Sequence, residues 1–182
     1  MNRDKRQVRS CMRNAQDRLP EEYISQASAI IQNKILSMEK YNAAKTVFLY
    51  VSTEKEPSTQ RIMNHALQAG KKVFVPKCVN REEMLAVRIS SLNQLLPGSF
   101  GIFEPQHWTE EITADALDFI LVPCVCASMD GKRLGHGAGY YDRFLATKAD
   151  NAICLCFHRL LRSNIPITEN DVRIPIVITE QD

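Results

Sequence analysis

Five short apolar runs, separated by stretches with a helical pattern, constrain this chain more than any other feature. They are "TVFLYVS" (residues 46–52), "KKVFVPK" (71–77), "LDFILVPCVCA" (117–127), "AICLCF" (152–157) and "IPIVITE" (174–180). Runs of Val, Ile, Leu and Phe without polar alternation belong to strands buried on both faces, a property of parallel sheets covered by helices. "MLAVRIS" (84–90) adds another strand. Between them, "NRDKRQVRSCMRNAQDRL" (2–19) is rich in helix formers and stops at Pro20. Pro20 suits the first position of a second helix, in which Ile24, Ala27, Ile31 and Ile35 form one apolar face. "STQRIMNHALQAG" (58–70) reads as a helix capped by Ser58 or Thr59 and closed by Gly70. "YYDRFLATK" (140–148) resumes helical character. This order predicts an α/β fold: three α/β/α layers around a mostly parallel, mixed sheet, Rossmann-like, with the 117–127 run as its central strand. The 182 residues fit a single domain, 1–182.

Charge and composition narrow the function. The chain carries 23 basic and 21 acidic residues, without the basic excess of a dedicated nucleic-acid binder. No apolar run approaches the length of a membrane span, and the basic N-terminus lacks the apolar core of a signal peptide. A cytoplasmic, monomeric protein with small-molecule partners is expected. Cys124 and Cys126, like Cys154 and Cys156, are spaced by two within apolar runs, so each pair faces one side of a strand. They are read as reduced thiols filling the core, with a four-thiolate zinc site as the alternative.

"GKRLGHGAGYYDRFL" holds four of the chain's seven glycines within nine positions, after an apolar strand and before a helix. Ligands of open α/β sheets bind beyond the carboxyl ends of the strands, and a helix N-terminus there attracts anions. Gly135, Gly137 and Gly139 allow successive N–H groups to converge, and Arg133 adds a bidentate phosphate donor. Neither the Walker A pattern nor the G-x-G-x-x-G spacing is present. The alternative is a flexible connection that tolerates glycine. Asp142, in the first helical turn, lies where it could reach a phosphate-bound Mg²⁺; as a plain dipole partner it would do less.

"RLGHGAGYYDRFL" resembles the signature of the 5-formyltetrahydrofolate cyclo-ligase (methenyltetrahydrofolate synthetase) family, close to R-L-G-x-G-x-G-Y/F-Y-D. The similarity extends to a Lys/Arg pair on the first helix, an acidic loop after a strand, "G-I-x-E-P", and "E-x-D" before "V-I-T". It implies closure of 5-formyltetrahydrofolate to 5,10-methenyltetrahydrofolate, with ATP split to ADP and phosphate and Mg²⁺ as cofactor. ATP would phosphorylate the formyl oxygen, and N10 would then attack the activated carbon. Such chemistry asks for positioning and charge neutralisation, and no Ser-His-Asp or Cys-His arrangement is evident.

By this resemblance, Lys5 and Arg9, four apart on one helical face, reach ATP phosphates, with Arg9 also near the folate. Without it they would be a solvated basic face, the reading kept for Arg6 and Arg13. Arg133, Leu134, Gly135, His136, Gly137, Ala138, Gly139, Tyr140 and Tyr141 would line ATP, and residues 136–140 the substrate as well. Val51 and Glu56 would contact the folate, Glu56 by accepting pterin donors; Glu54 is a rival one step away. Phe100 would stack on the pterin or pack in the core. Asp142 and Asp171 would hold the metal, and Arg133 and Asp142 would act on the transferring group. A further acid common in relatives is absent, with Pro175 in that region. A sugar-phosphate isomerase or CoA-transferase relative, and a non-catalytic folate or nucleotide sensor, are competing readings.

Overall fold

Pairing of the apolar runs builds one seven-stranded sheet in the order β11-β10-β7-β1-β2-β3-β6. The computed structural model describes residues 2–98 and 101–181. Its strands are β1 (Thr46–Phe48), β2 (Lys72–Cys78), β3 (Met84–Ile89), β4 (Leu95–Pro97), β5 (Phe103–Pro105), β6 (Glu111–Ile112), β7 (Phe119–Val122), β8 (Cys126–Ala127), β9 (Arg133–Leu134), β10 (Ala152–Leu155) and β11 (Ile176–Ile178). The helices are α1 (Asn2–Asp17), α2 (Glu21–Ser37), α3 (Glu39–Ala43), α4 (Gln60–Gln68) and α5 (Tyr140–Phe144). Strands β11, β10, β7, β1 and β2 run parallel, and β3 and β6 extend the sheet antiparallel. The mixed, mostly parallel sheet is the one the apolar runs predict.

Both faces are covered because neighbouring residues of a strand point to opposite sides. Phe48 meets the rings of Tyr141 and Phe144 on α5, at 6.2 and 5.0 Å between centroids. Val47 is in register with Phe119, whose ring meets Tyr41 of α3 at 5.4 Å, and the Tyr41 hydroxyl donates to the Ile62 carbonyl of α4. Helices α2, α3 and α4 therefore cover one face, with Ala27, Ile31 and Ile35 buried as the spacing predicts. The other layer is thin at α5, a single short helix of five residues.

Some of these expectations need correction. The 117–127 run is not one strand: Pro123 ends β7, and Cys126 and Ala127 leave the sheet to pair with Leu134 and Arg133 in the β8–β9 hairpin. The middle of the sheet is β1, with β7 beside it. The glycine cluster consequently follows the hairpin rather than the sheet strand. Pro20 stands one position before its helix, as the extended N-cap of α2. Thr59 is the N-cap of α4, as expected, without a side-chain bond to the helix; its hydroxyl donates to the Tyr50 carbonyl at 2.6 Å. Pro76 is tolerated inside β2 because β1 pairs only with Lys72–Phe74, so no neighbour on that side needs its missing N–H.

The four cysteines of the C-x-C pairs are all buried. Hydrogen bonds from Cys154 and Cys156, together with burial, push the Cys124 thiol well above its ordinary value, and burial takes Cys126 to about 12. All four are core residues, and Cys124 and Cys126 are neutral thiols. No helix among the described residues is long and apolar enough to cross a membrane.

Gly131 belongs to the hairpin and not to the 135–139 loop. It turns the β8–β9 hairpin at φ +86, and a Cβ there would run into the Ile174 carbonyl oxygen. Gly70 has φ +70 but open space around it. Gly70→Ala should therefore cost about 1–2 kcal/mol of backbone strain, and Gly131→Ala a further ~1–3 kcal/mol of steric overlap. Chemical denaturation of both variants checks this; equal losses would remove Gly131 from its structural role.

Candidate active site

The chain order reverses at β1: it passes to β2 on one side and later to β7 on the other. In open α/β sheets such a switch point opens a crevice beyond the carboxyl ends of the strands. Here the loop after β1 carries Glu56, and the chain beyond β7 returns through β8 and β9 to the glycine loop. The two meet where His136 Nε2 lies 3.2 Å from Glu56 Oε1.

Helix α1 lies along that loop. Lys5, Arg9 and Arg13 repeat every four residues, hence on one helical face. The Arg9 Nε donates to the Gly135 carbonyl at 3.0 Å, and Arg13 Nη2 donates to the His136 carbonyl at 2.9 Å. From the other side Arg143 Nη2 donates to the Ala138 carbonyl at 2.8 Å. With three carbonyls drawn toward guanidinium groups, the trans peptide geometry turns the following N–H groups the opposite way. The amides of His136, Gly137, Ala138 and Gly139 donate to no protein acceptor among the described residues. Gly137 (φ +111) and Gly139 (φ +74) supply the backbone conformations, and a side chain at Gly139 would strike the Arg143 guanidinium. Successive unpaired amides in such a turn form an anion-binding concavity.

Arg133 lies against this loop, its Nη1 3.6 Å from where a Gly135 Cβ would project. Its Nη2 donates to Asp142 Oδ1 at 2.8 Å, while its buried Nε has no partner. Asp142 Oδ1 also accepts the Val172 N–H at 3.1 Å, which brings the two sequence-predicted metal ligands, Asp142 and Asp171, to one turn. Asp171 Oδ2 accepts bonds from Lys5 and from the Thr168 amide and hydroxyl. Burial would raise this carboxyl, but Lys5 and Thr168 outweigh it and hold it below its ordinary value. Each acid thus commits one oxygen to a cation, leaving Asp142 Oδ2 and Asp171 Oδ1 without a partner among the described residues.

Glu56, not Glu54, turns inward. It is 5 % exposed, and its Oε2 accepts both the Thr53 amide at 2.9 Å and the Thr53 hydroxyl at 3.1 Å. Two tyrosines face it: burial first, and then the Glu56 charge, push Tyr50 and Tyr141 well above their ordinary values. The Tyr141 hydroxyl is buried without a partner. Val51 is half-buried at the same strand end, Leu134 is buried in β9, and Tyr140 bonds the Asn80 carbonyl at 2.8 Å. Phe100 lies outside the described residues.

Several expectations change. The helix after the loop is too short to act as a strong dipole, so anion attraction falls to the arginines and free amides. Lys5 is 5 % exposed and tied to Asp171, not a member of a solvated face. Arg13 is exposed yet holds the loop, so its assignment to solvent was incomplete; its place four residues after Arg9 was the available signal. Arg143 and Thr168 carried no signal in the sequence alone.

This arrangement defines an α/β protein with a glycine loop of unpaired amides at the switch point. The 5-formyltetrahydrofolate cyclo-ligase family model matches residues 1–180, and the chain belongs to that family. A probable 5-formyltetrahydrofolate cyclo-ligase of Caenorhabditis elegans is 31% identical, covering 97% of this chain and 92% of its own. One from Schizosaccharomyces pombe is 28% identical, covering 100% and 97%. The solved 5,10-methenyltetrahydrofolate synthetase of Aquifex aeolicus superimposes with a TM-score of 0.86 at 27% identity, over 98% of this chain and 90% of that one.

The Lys5–Asp171 pair, buried at its lysine, makes a prediction about stability. Lys5→Met should cost about 1.5–3 kcal/mol, the range for hydrogen bonds to charged groups. Because the folded Asp171 titrates below its unfolded value, the pair contributes fully above the ordinary aspartate range and is lost as pH falls through the folded value. Urea melts of wild type and Lys5→Met from pH 7 to pH 2 should converge on acidification. A constant gap would show that Lys5 contributes by packing alone.

Proposed function

We propose that this chain converts 5-formyltetrahydrofolate to 5,10-methenyltetrahydrofolate, with ATP as co-substrate and Mg²⁺ as cofactor. Family membership along almost the whole chain supports the conversion. The observation that carries the ATP reading is the loop itself: unpaired amides at residues 136–139 beside an Arg133 Nε that is buried and unpartnered. A buried charged donor without a partner calls for an anion or water, and ATP brings the anion.

In this reading the loop amides and Arg133 hold the phosphates, with Arg9 and Lys5 adding positive charge along α1. Glu56 accepts donors of the pterin ring, and Val51 and Tyr140 flank it. The formyl oxygen attacks the γ-phosphorus and ADP leaves. N10 then adds to the activated formyl carbon and loses its proton, and phosphate departs from that carbon, leaving the N5–CH–N10 bridge. Each step transfers a group between substrates, so the protein's part is alignment and charge neutralisation. Leucine, glycine and alanine at 134, 135 and 138 contribute backbone only.

Asp142 and Asp171 fit a magnesium ion. Mg²⁺ prefers one or two carboxylates, with phosphate and water completing its shell, and each acid keeps one free oxygen. Bound there, the ion would offset phosphate charge during transfer. Arg133 and Asp142 stand closest to that task by their mutual bond.

The test follows the methenyl product by its absorbance, with ADP release measured in parallel, with and without Mg²⁺. ADP release that needs the formyl-folate supports the proposal; product without ATP, or binding of both ligands without turnover, overturns it. Asp142→Asn should lower kcat about 100- to 1000-fold, by analogy with loss of one electrostatic contact in a transition state. It should also lower stability by ~1–3 kcal/mol, because a buried guanidinium loses its counter-charge while keeping the Oδ1 acceptor. Wild-type kcat in the folded variant would remove Asp142 from the chemistry.

A further inference from the structure

Helix α1 holds the glycine loop through Arg9 and Arg13, and one more of its residues reaches the other half of the site. We propose that Gln16 is a positioning residue for folate recognition: by holding the Lys55 carbonyl it fixes the peptide from which Glu56 projects. This rests on the reading of Glu56 as the pterin acceptor.

Gln16 stands three residues after Arg13, hence beside it on the helix surface. It is 5 % exposed, and its Nε2 donates to the Lys55 carbonyl at 2.7 Å. A buried side-chain amide is costly without a partner, and only its NH2 group can bond a carbonyl oxygen. The Lys55 carbonyl and the Glu56 N–H belong to one planar trans peptide and point opposite ways. The Glu56 N–H donates to the Thr53 carbonyl at 3.3 Å. Gln16 and Thr53 thus grip the two ends of that peptide, which sets the direction in which the Glu56 side chain leaves the turn. Thr53 then takes Oε2 through its amide and its hydroxyl. Further ties of this loop, from Tyr50 to the Pro57 carbonyl and from the Ser58 amide to the Ser28 hydroxyl, lie downstream of Glu56.

Arg13 and Gln16 thereby tie two separate loops to neighbouring positions of one helix. Arg13 holds the His136 carbonyl and Gln16 the Lys55 carbonyl, and the side chains of His136 and Glu56 meet at 3.2 Å. One turn of α1 therefore sets the spacing between the turn that carries Glu56 and the loop whose amides lack protein acceptors. Without the Gln16 bond, the 53–56 turn keeps its internal bonds but loses its tie to α1. Glu56 then spends part of its time away from the orientation that meets the pterin donors, and affinity falls by that fraction. The glycine loop keeps Arg9, Arg13 and Arg143, so phosphate binding is untouched.

Calorimetric titrations of 5-formyltetrahydrofolate alone, and of ATP with Mg²⁺ alone, test this in wild type, Gln16→Met, Gln16→Asn, Glu56→Ala and Gln16→Met combined with Glu56→Ala. Gln16→Met keeps the length and loses the donor; Gln16→Asn keeps the amide one methylene short of the carbonyl. Thermal melts show which variants fold, and either Gln16 variant suffices. Each should raise the folate Kd roughly 3- to 10-fold, the scale of one hydrogen bond, and leave the ATP Kd unchanged. In the Glu56→Ala background the Gln16 substitution should add nothing, because it acts through that carboxylate. Equal weakening of both ligands, or an equal loss of folate affinity in both backgrounds, overturns the positioning role. So does an unchanged folate Kd in a folded Gln16→Met while Glu56→Ala is weakened, a result that leaves the folate site standing. Unchanged folate binding in a folded Glu56→Ala overturns the pterin reading of Glu56, and the role of Gln16 with it.

Discussion

Three arginines fix the direction of one loop's peptide groups, and the candidate site depends on that. Arg9, Arg13 and Arg143 take the carbonyls of Gly135, His136 and Ala138, so the amides between them face away from protein acceptors. An amide left without an acceptor is costly when buried and useful when a ligand can satisfy it. The glycines permit the turn, but they do not orient it. A loop with the same glycines and no guanidinium clamp would be free to present its carbonyls to a phosphate, which would repel it.

The clamp joins distant parts of the chain. Arg9 and Arg13 come from the first helix and Arg143 from α5, while Lys5 on the same helix face reaches Asp171 near the other end of the sequence. Asp142 ties Arg133 to the amide of Val172 beside that turn. Two carboxylates and two buried cations thus neutralise one another. Removing one partner of such a pair leaves a charge with poor solvation, which is why the acids carry both stability and the proposed metal chemistry.

The meeting of Glu56 with the glycine loop follows from sheet topology. Because β1 and β7 are parallel neighbours with opposite onward connections, Glu56 and the glycine loop emerge side by side. Glu56 is buried beside two neutral tyrosines, and Thr53 and His136 satisfy its oxygens.

The fold class was legible in the sequence because continuous apolar runs encode burial on both faces, and their order encodes crossovers. The turn at 135–139 was legible because few folds gain from three alternating glycines after an arginine. Glu56 against Glu54 could not be separated by spacing alone; burial and the Thr53 bonds separated them. The break of the 117–127 run at Pro123, and the assignment of Gly131 to a hairpin packed on Ile174, were likewise decided by tertiary contact. The same holds for the tie of Lys5 to Asp171, 166 residues away, and for the work of Arg13 and Arg143. The sequence by itself determined which segments are buried and where glycines free the backbone to turn, since those follow from local composition. Which charges meet was decided only by the folded chain, because a charge is assigned its partner by distance in space, and that distance is set by the packing of the whole sheet.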